Sequence, residues 1–491
     1  MKKYKLFFAA FISALCISTG VKAHAAKPLE GSSVSVIYSL NNKIHGINYN
    51  AYMHPASTQK LLTALASLLY LGPDYTFKTA LYISKQSHAN GKLKISANGT
   101  LAGDIKIKFT GDPFFTSENL SSLFKSLKDQ GVKHIKGKVL LDISRFTGKD
   151  RADGWSASDL PVCFTAPSSA LIINHNCAGC RLKPSSVGNR AKVEILNRNP
   201  INVSSEAITV KAGDFRDKCT LEADILGSNS YHLSGCIPKL KKDTPYPLLF
   251  AVNDPKSWGI DWTAKILKNL NLSVSGGISV TKQNKSGFTP YAVINSPRLY
   301  NLVKVMLQKS DNLYADSIAK TVGFEYFKRA GSYQDAVTAI RSILKEKAGI
   351  NLKNAYMVDG SGLSSHNLLS AKNLFDVLTY IKDHDSTLNL IAILPKSGIS
   401  GTLKYRPSVK GSQLKGAVIA KTGSLQNVSN LAGFIKSKNN KLIPFVILEN
   451  SLTYPQDLRE EINQLKKKSP HYEFEKSVIT DIYNEKILSF K

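Results

Sequence analysis

The chain has 491 residues, 43% of them hydrophobic, and a formal net charge of +29 from 65 Lys and Arg against 36 Asp and Glu. It is too long for one typical domain and apolar enough for a large core, which excludes a disordered or low-complexity chain. The charge favours a polyanionic partner, yet the sequence carries no zinc-finger spacing, RRM signature or basic region with heptads, so nucleic acid is not expected as that partner.

In chain order, Lys2, Lys3 and Lys5 precede an apolar run at 6–17, and Ala23-His24-Ala25 fits a cleavage site. Residues 1–25 therefore read as a signal peptide, and the chain as an exported, periplasmic protein. Without the four lysines of that leader the charge is about +25. No later stretch reaches the ~18 apolar residues of a membrane span, so the processed chain is not expected to be transmembrane. Export leaves Cys163, Cys177, Cys180, Cys219 and Cys236. An oxidising compartment favours disulfides, with Cys219–Cys236 the preferred pair. Cys177-Ala178-Gly179-Cys180 is open to a redox motif or part of a metal site, with a structural bridge favoured. No metal or cofactor is assigned, and the odd count leaves one thiol free or intermolecular.

Runs at 34–40 and 44–49, joined by Asn41-Asn42, predict a hairpin. Next comes His54-Pro55-Ala56-Ser57-Thr58-Gln59-Lys60 with an apolar run at 61–71 behind it. This predicts a helix entered near Pro55 and stopped by Gly72-Pro73. Helical spacing sets the Lys60 amine on the same face as the Ser57 hydroxyl. Ser-x-x-Lys recurs at Ser122/Lys125, Ser279/Lys282, Ser317/Lys320, Ser342/Lys345 and Ser412/Lys415, so the pair carries weight only through its company. Short strands follow at 93–95, 105–109, 138–143, 191–196 and 207–210, with helices at 118–129 and 258–269. Helical pattern returns at 296–330, 332–349 and 370–383. Strands are expected at 417–421, 431–435 and 442–448, and a final helix at 458–468.

Strands at both ends predict one sheet built from the two termini. Residues 26–78 plus 296–491 would form that domain, discontinuously, around a strand-rich insertion at 79–295. The insertion reads as two nested parts, the outer at about 79–103 plus 190–295 and the inner at about 104–189.

Three motifs then fall in order: Ser57-x-x-Lys60 opening a helix, Ser310-Asp311-Asn312 opening a second helix 253 residues on, and Lys421-Thr422-Gly423 closing an apolar strand. A serine nucleophile needs a base, and together the motifs supply serine acyl transfer. Ser57 attacks a carbonyl to give an acyl ester, and Lys60 is the base. Ser310 relays a proton toward the leaving amine. Asn312 hydrogen-bonds Lys60 and the substrate backbone, and Lys421 places positive charge beside Ser310. Thr422 binds a substrate carboxylate, and Gly423 lets backbone lie close to the ligand. The backbone N–H groups of Ser57 and Ser424 form the oxyanion hole.

On these residues the chain resembles the serine-type D-alanyl-D-alanine carboxypeptidase/endopeptidases, the class C low-molecular-mass penicillin-binding proteins. The resemblance extends through Leu71-Gly72-Pro73-Asp74-Tyr75, Gly111-Asp112-Pro113, Gly154-Trp155 and Ala166-Pro167-Ser168-Ser169-Ala170-Leu171. It continues at Asp359-Gly360-Ser361-Gly362-Leu363, Leu394-Pro395, Gly401-Thr402-Leu403 and Ala420 to Leu425. It implies a mixed α+β and α/β fold: a penicillin-recognising, serine transpeptidase/β-lactamase-like domain, with an antiparallel sheet covered by helices and strand-rich inserted domains. It also implies cleavage of D-Ala–D-Ala stem peptides and of meso-diaminopimelate cross-links in peptidoglycan, and acylation of Ser57 by β-lactam antibiotics. Ser424 stands where threonine is common, a change a backbone role tolerates. The high charge is unusual and leaves room for an anionic cell-envelope polymer as a further partner. A serine β-lactamase would share the motifs, but no Glu-x-x-x-Asn element follows Ser310. A non-enzymatic wall-binding protein on the same scaffold is disfavoured by the intact Ser57, Lys60, Ser310, Asn312 and Lys421.

Overall fold

The computed structural model describes residues 27–89, 92–215, 219–240, 244–283, 286–463 and 467–489. The expected signal peptide at 1–25 lies outside the described residues. Among those described, no helix is long and apolar enough to cross a membrane.

The chain begins with β1 (Ser33–Leu40) and β2 (Lys43–Ile47), the expected hairpin. A turn of 3-10 helix at Ala56–Gln59 leads into α1 (Lys60–Leu71). The insertion holds β3 (Lys78–Ser84), β4 (Ile105–Lys108), α2 (Ser117–Lys128), β5 (Val139–Asp142), β6 (Cys177–Lys183), β7 (Ser230–Lys239), α3 (Pro255–Asn269), β8 (Ile278–Thr281) and β9 (Phe288–Asn295), with further strands between. Then come α4 (Leu299–Lys309), α5 (Asn312–Phe327), α6 (Tyr333–Ala348) and α7 (Ala371–Asp383). The chain closes with β10 (Val418–Leu425), β11 (Val428–Lys436), β12 (Leu442–Asn450), α8 (Gln456–Asn463) and α9 (His471–Tyr483).

The two termini build one antiparallel sheet in the order β2-β1-β12-β11-β10. Its strands other than the edge strand β2 are largely buried because both faces are covered. Strand alternation sorts the side chains. Val36, Tyr38, Leu431, Phe445 and Ile447 enter a core with Phe474, Val478 and Ile482 of α9. Ile37, Phe434, Val446 and Leu448 enter the larger core with α1 and α4 to α7. Every residue from Lys60 to Leu68 is buried, so α1 is a central helix covered all round, not an amphipathic one.

The insertion leaves and returns through one antiparallel pair, with Lys78 opposite Asn295. These two strands belong to a second sheet, β8-β5-β4-β3-β9, on which α2 and α3 pack through Phe124, Leu127, Trp258 and Ile266. β4 and β5 are hydrogen-bonded between β3 and β8, so a boundary at 103/104 would cut through this sheet. The remaining strands, such as Leu221–Gly227 and Tyr246–Ala251, alternate between exposed and half-buried positions along much of their length.

Within 296–330 a helix does open at Ser310-Asp311-Asn312 as expected: Ser310 takes a left-handed backbone (φ 57°) that ends α4, and Asp311 caps α5. Other expectations are corrected by local geometry. The strand expected to end at Lys421 runs on to Leu425, so the Lys-Thr-Gly motif lies inside it. The helix expected at 458–468 is described over Gln456–Asn463, residues 464–466 lying outside the described residues, and α9 beyond Pro470 was not expected. Disulfides join Cys219 to Cys236, as preferred, and Cys163 to Cys177; Cys180 is a buried thiol. Three residues apart on β6, Cys177 and Cys180 face opposite ways and cannot bridge. Cys163, His175 and Cys177 lie close enough to share a cation, but the bridge occupies both sulfurs.

Candidate active site

The Ser57 turn is held from the sheet. The Asn430 side chain donates to the His54 carbonyl (2.8 Å), and the His54 N–H donates to Asn450 Oδ1 (2.8 Å). Gly423 of β10 passes close by: a Cβ there would sit 2.8 Å from the Pro55 carbonyl oxygen. Only glycine lets the strand lie so near the serine.

Lys60 begins α1 one turn past Ser57 and is fully buried. Its Nζ lies 2.8 Å from Ser57 Oγ, 2.6 Å from Asn312 Oδ1 and 2.7 Å from the Ser361 carbonyl oxygen. Asn312 Nδ2 donates to the Phe164 carbonyl (2.9 Å), which fixes the amide with its oxygen toward Lys60. Both partners other than Ser57 can therefore only accept. A neutral lysine has two N–H groups and one lone pair. With the N–H groups on Asn312 and Ser361, the lone pair faces the Ser57 hydroxyl. Burial pulls the Lys60 ammonium down to about 8, against the opposing carboxylates of Asp316, Asp359 and Asp311.

Lys421 Nζ donates to Ser310 Oγ (2.8 Å) and to the Thr422 carbonyl (2.7 Å). Burial, then Lys60 and Arg406, hold its ammonium well below the usual lysine range. Thr422 donates its hydroxyl to Thr402 Oγ1 (2.8 Å). β10 is the edge strand, and the Ala420 N–H points away from β11 to the Pro395 carbonyl (3.0 Å). By strand alternation the N–H groups of Thr422 and Ser424 face the same open side.

Ser57, Ser310, Asn312 and Ser424 line one cleft of about 320 Å³, with Asp159, Phe164, Leu363, Leu425 and Gln426. Lys60, Lys421, Thr422 and Gly423 are buried behind it. Asp159, Phe164 and Gln426 were not anticipated as cleft residues, and the stretch from Asp359 to Leu363 was noted only for its family resemblance. Asp159 and Phe164 reach the cleft from the insertion. The turn from Asp359 to Leu363 closes over Lys60. Asp359 accepts from the Gly362 and Ser364 N–H groups, Trp155 Nε1 and Asn367 Nδ2 at 2.7–3.0 Å. Its available signal was an aspartate among glycines, which also fits an ordinary turn.

The model of the D-Ala-D-Ala carboxypeptidase 3 (S13) family matches residues 17–469. The D-alanyl-D-alanine carboxypeptidase DacB of Haemophilus influenzae is 34% identical over 92% of this chain and 92% of its own. The D-alanyl-D-alanine carboxypeptidase of Actinomadura sp. (strain R39) is 25% identical over 88% of this chain and 80% of its own. The crystal structure of penicillin binding protein 4 (dacB) from H. influenzae superposes with a TM-score of 0.82 at 34% identity, covering 93% of this chain and 97% of that one. The same protein complexed with a novel beta-lactam gives a TM-score of 0.79 at 33% identity, with the same coverage. The fold is thus the penicillin-recognising, β-lactamase-like one with a strand-rich insertion. The chain belongs to the D-Ala-D-Ala carboxypeptidase 3 (S13) family and is a serine-type hydrolase of that class.

Proposed function

We propose that the chain is an exported DD-peptidase that removes the terminal D-Ala of peptidoglycan stem peptides through a Ser57 acyl-enzyme, and that it opens D-Ala–meso-diaminopimelate cross-links by the same route. The observation that carries this is the Lys60 amine held 2.8 Å from Ser57 Oγ between two groups, Asn312 Oδ1 and the Ser361 carbonyl, that can only accept. Ser57 Oγ attacks the penultimate D-Ala carbonyl while Lys60 takes its proton. The oxyanion sits between the N–H groups of Ser57 and Ser424. Ser310, beside Lys421, relays the proton that Lys60 took up to the departing amine, which returns Lys60 to its neutral form, and Lys421 with Thr422 holds the terminal carboxylate. Water then hydrolyses the ester with Lys60 again as base. Asp159 and Gln426 extend the cleft with polar groups that fit the zwitterionic end of a diaminopimelate residue, which suits cross-links. A β-lactam acylates Ser57 in the same way, but its leaving amine remains tethered, so the ester persists. The crystallised β-lactam complex of the H. influenzae relative supports this partner. The leader and the charge of about +25 add a periplasmic location and an anionic envelope polymer to the proposal.

The test is release of D-Ala from a stem pentapeptide, set against nitrocefin turnover. The peptide is expected to be cleaved over many turnovers and nitrocefin to stop after about one. Fast nitrocefin hydrolysis without peptide cleavage would mean a β-lactamase. Among the described residues no glutamate lines the cleft to activate a deacylating water.

The pH profile follows from Lys60. The base must be neutral, and its neutral fraction rises with pH. Acylation by penicillin should climb tenfold per pH unit below about 8 and level off above it. Stopped-flow rates between pH 5.5 and 9.5 check this; a rate that falls as pH rises through that range would contradict the assignment.

A further inference from the structure

The loop from Cys163 to Cys177 belongs to the insertion, yet both its ends rest on the Ser310-Asp311-Asn312 segment. Beside Cys163, the Phe164 carbonyl accepts from Asn312 Nδ2 at 2.9 Å. Beside Cys177, His175 Nε2 lies 2.8 Å from Asp311 Oδ2. Asp311 is held below the ordinary carboxylate range against its burial, by His175 and by the Tyr314 N–H. An ionised carboxylate only accepts, so His175 Nε2 carries the proton and donates it. The disulfide ties the two ends together, 14 residues apart in sequence.

The backbone at the second end is unusual. Asn174, His175 and Asn176 all have left-handed φ, at 52°, 62° and 46°. Asparagine accepts this readily and histidine less so. The run is pinned on both sides. The Asn174 side chain bonds Ser117, and Asn176 Nδ2 donates to the carbonyls of Pro167 and Leu171. The outcome is an imidazole aimed at the residue between Ser310 and Asn312.

We propose that this bridged loop is a strap whose closed disulfide positions Asn312, and through it the Lys60 amine, with His175 as the positioning residue at its far end. Asn312 Oδ1 is one of two acceptors that orient the Lys60 lone pair, and its amide is held only as firmly as Phe164 and Asp311 hold it. A dithiol reductant would donate two electrons and two protons, leaving two cysteine thiols and its own disulfide. The strap would then slacken at both ends. Cys163 and Cys177 are half-buried, within reach of such a reagent. This inference rests on the Ser57 acylation proposed above.

The test uses the full chain carrying Cys219→Ser and Cys236→Ser, which leaves Cys163–Cys177 as the single bridge among the described cysteines. Acylation by a fluorescent penicillin is followed with the bridge oxidised, reduced by dithiothreitol and re-oxidised. The acylation rate constant should fall about 10- to 100-fold on reduction and recover on re-oxidation, with the non-covalent binding constant nearly unchanged. In a parallel pair, with the bridge intact, His175→Leu should show a similar loss, while His175→Gln, whose amide N–H replaces the ring N–H, should recover most of the rate. Both variants share the left-handed backbone, so their comparison isolates the donor even if reduction unfolds the loop. Equal rates for the oxidised and reduced protein, or equal losses for Leu and Gln, would overturn the strap alone. No labelling of the oxidised protein at Ser57 would overturn the proposed function as well.

Discussion

Replacing Lys60 with methionine is expected to slow acylation by penicillin by about 10²- to 10⁴-fold, the usual worth of a general base. Methionine nearly matches the lysine stem in length but carries no lone pair for the Ser57 proton. The change also removes a fully buried amine, whose desolvation opposes folding. It leaves Asn312 Oδ1 and the Ser361 carbonyl without their donor, at about 1–3 kcal/mol each. These effects oppose one another, so the variant should remain folded, with its thermal midpoint within several degrees of the parent. Time courses with fluorescent penicillin, read beside circular-dichroism melting, separate chemistry from folding. A folded variant that acylates within about tenfold of the parent would require another base.

The second large effect is expected at Gly362. Its φ is 78°, and a Cβ there would lie 1.9 Å from the Ala56 carbonyl oxygen. That oxygen belongs to the turn that presents Ser57, so Gly362→Ala must displace either the Asp359 turn or Ser57 itself. Backbone, not a flexible side chain, is in the way. A loss of about 3 kcal/mol or more in stability, or about 10²-fold in acylation at retained stability, is expected. Gly349→Ala is the matched comparison: its φ is 68°, but nothing lies within 4 Å of the new Cβ. That variant pays only the left-handed backbone cost, about 1–2 kcal/mol, with acylation untouched. Urea denaturation and penicillin labelling of both variants check the contrast. Equal behaviour of the two would mean that the Gly362 contact does not hold the serine.

The legible parts of the site were those encoded by local periodicity. Ser57 and Lys60 share a helical face, so three residues of sequence suffice to bring them together. Lys421 and Gly423 sit two residues apart on an apolar strand, so the pattern puts them on one face, the one that meets the Ser57 turn through Gly423. The approach of Asn312 to Lys60 spans 252 residues, and no local pattern encodes it; only the order of the motifs and the family resemblance pointed there. The Ser361 carbonyl was invisible because a backbone acceptor has no residue signature. The Cys177-x-x-Cys180 spacing suggested local pairing, which strand geometry forbids, and the partner lay 14 residues upstream. In the fold, the buried sheet strands were readable because both faces are apolar. Half-exposed insertion strands such as Leu221–Gly227 alternate with polar residues and resemble loops. Helix α9 was hidden behind the lysine-rich stretch before Pro470, which reads as the tail of the preceding helix.

The account depends on one hydroxyl being singled out by its neighbours. Intact-mass spectrometry after exposure to benzylpenicillin, followed by peptide mapping, tests that directly. One adduct per chain, on the peptide containing Ser57 and absent from Ser57→Ala, is the predicted result. An adduct on another serine, or unchanged labelling of Ser57→Ala, would contradict it.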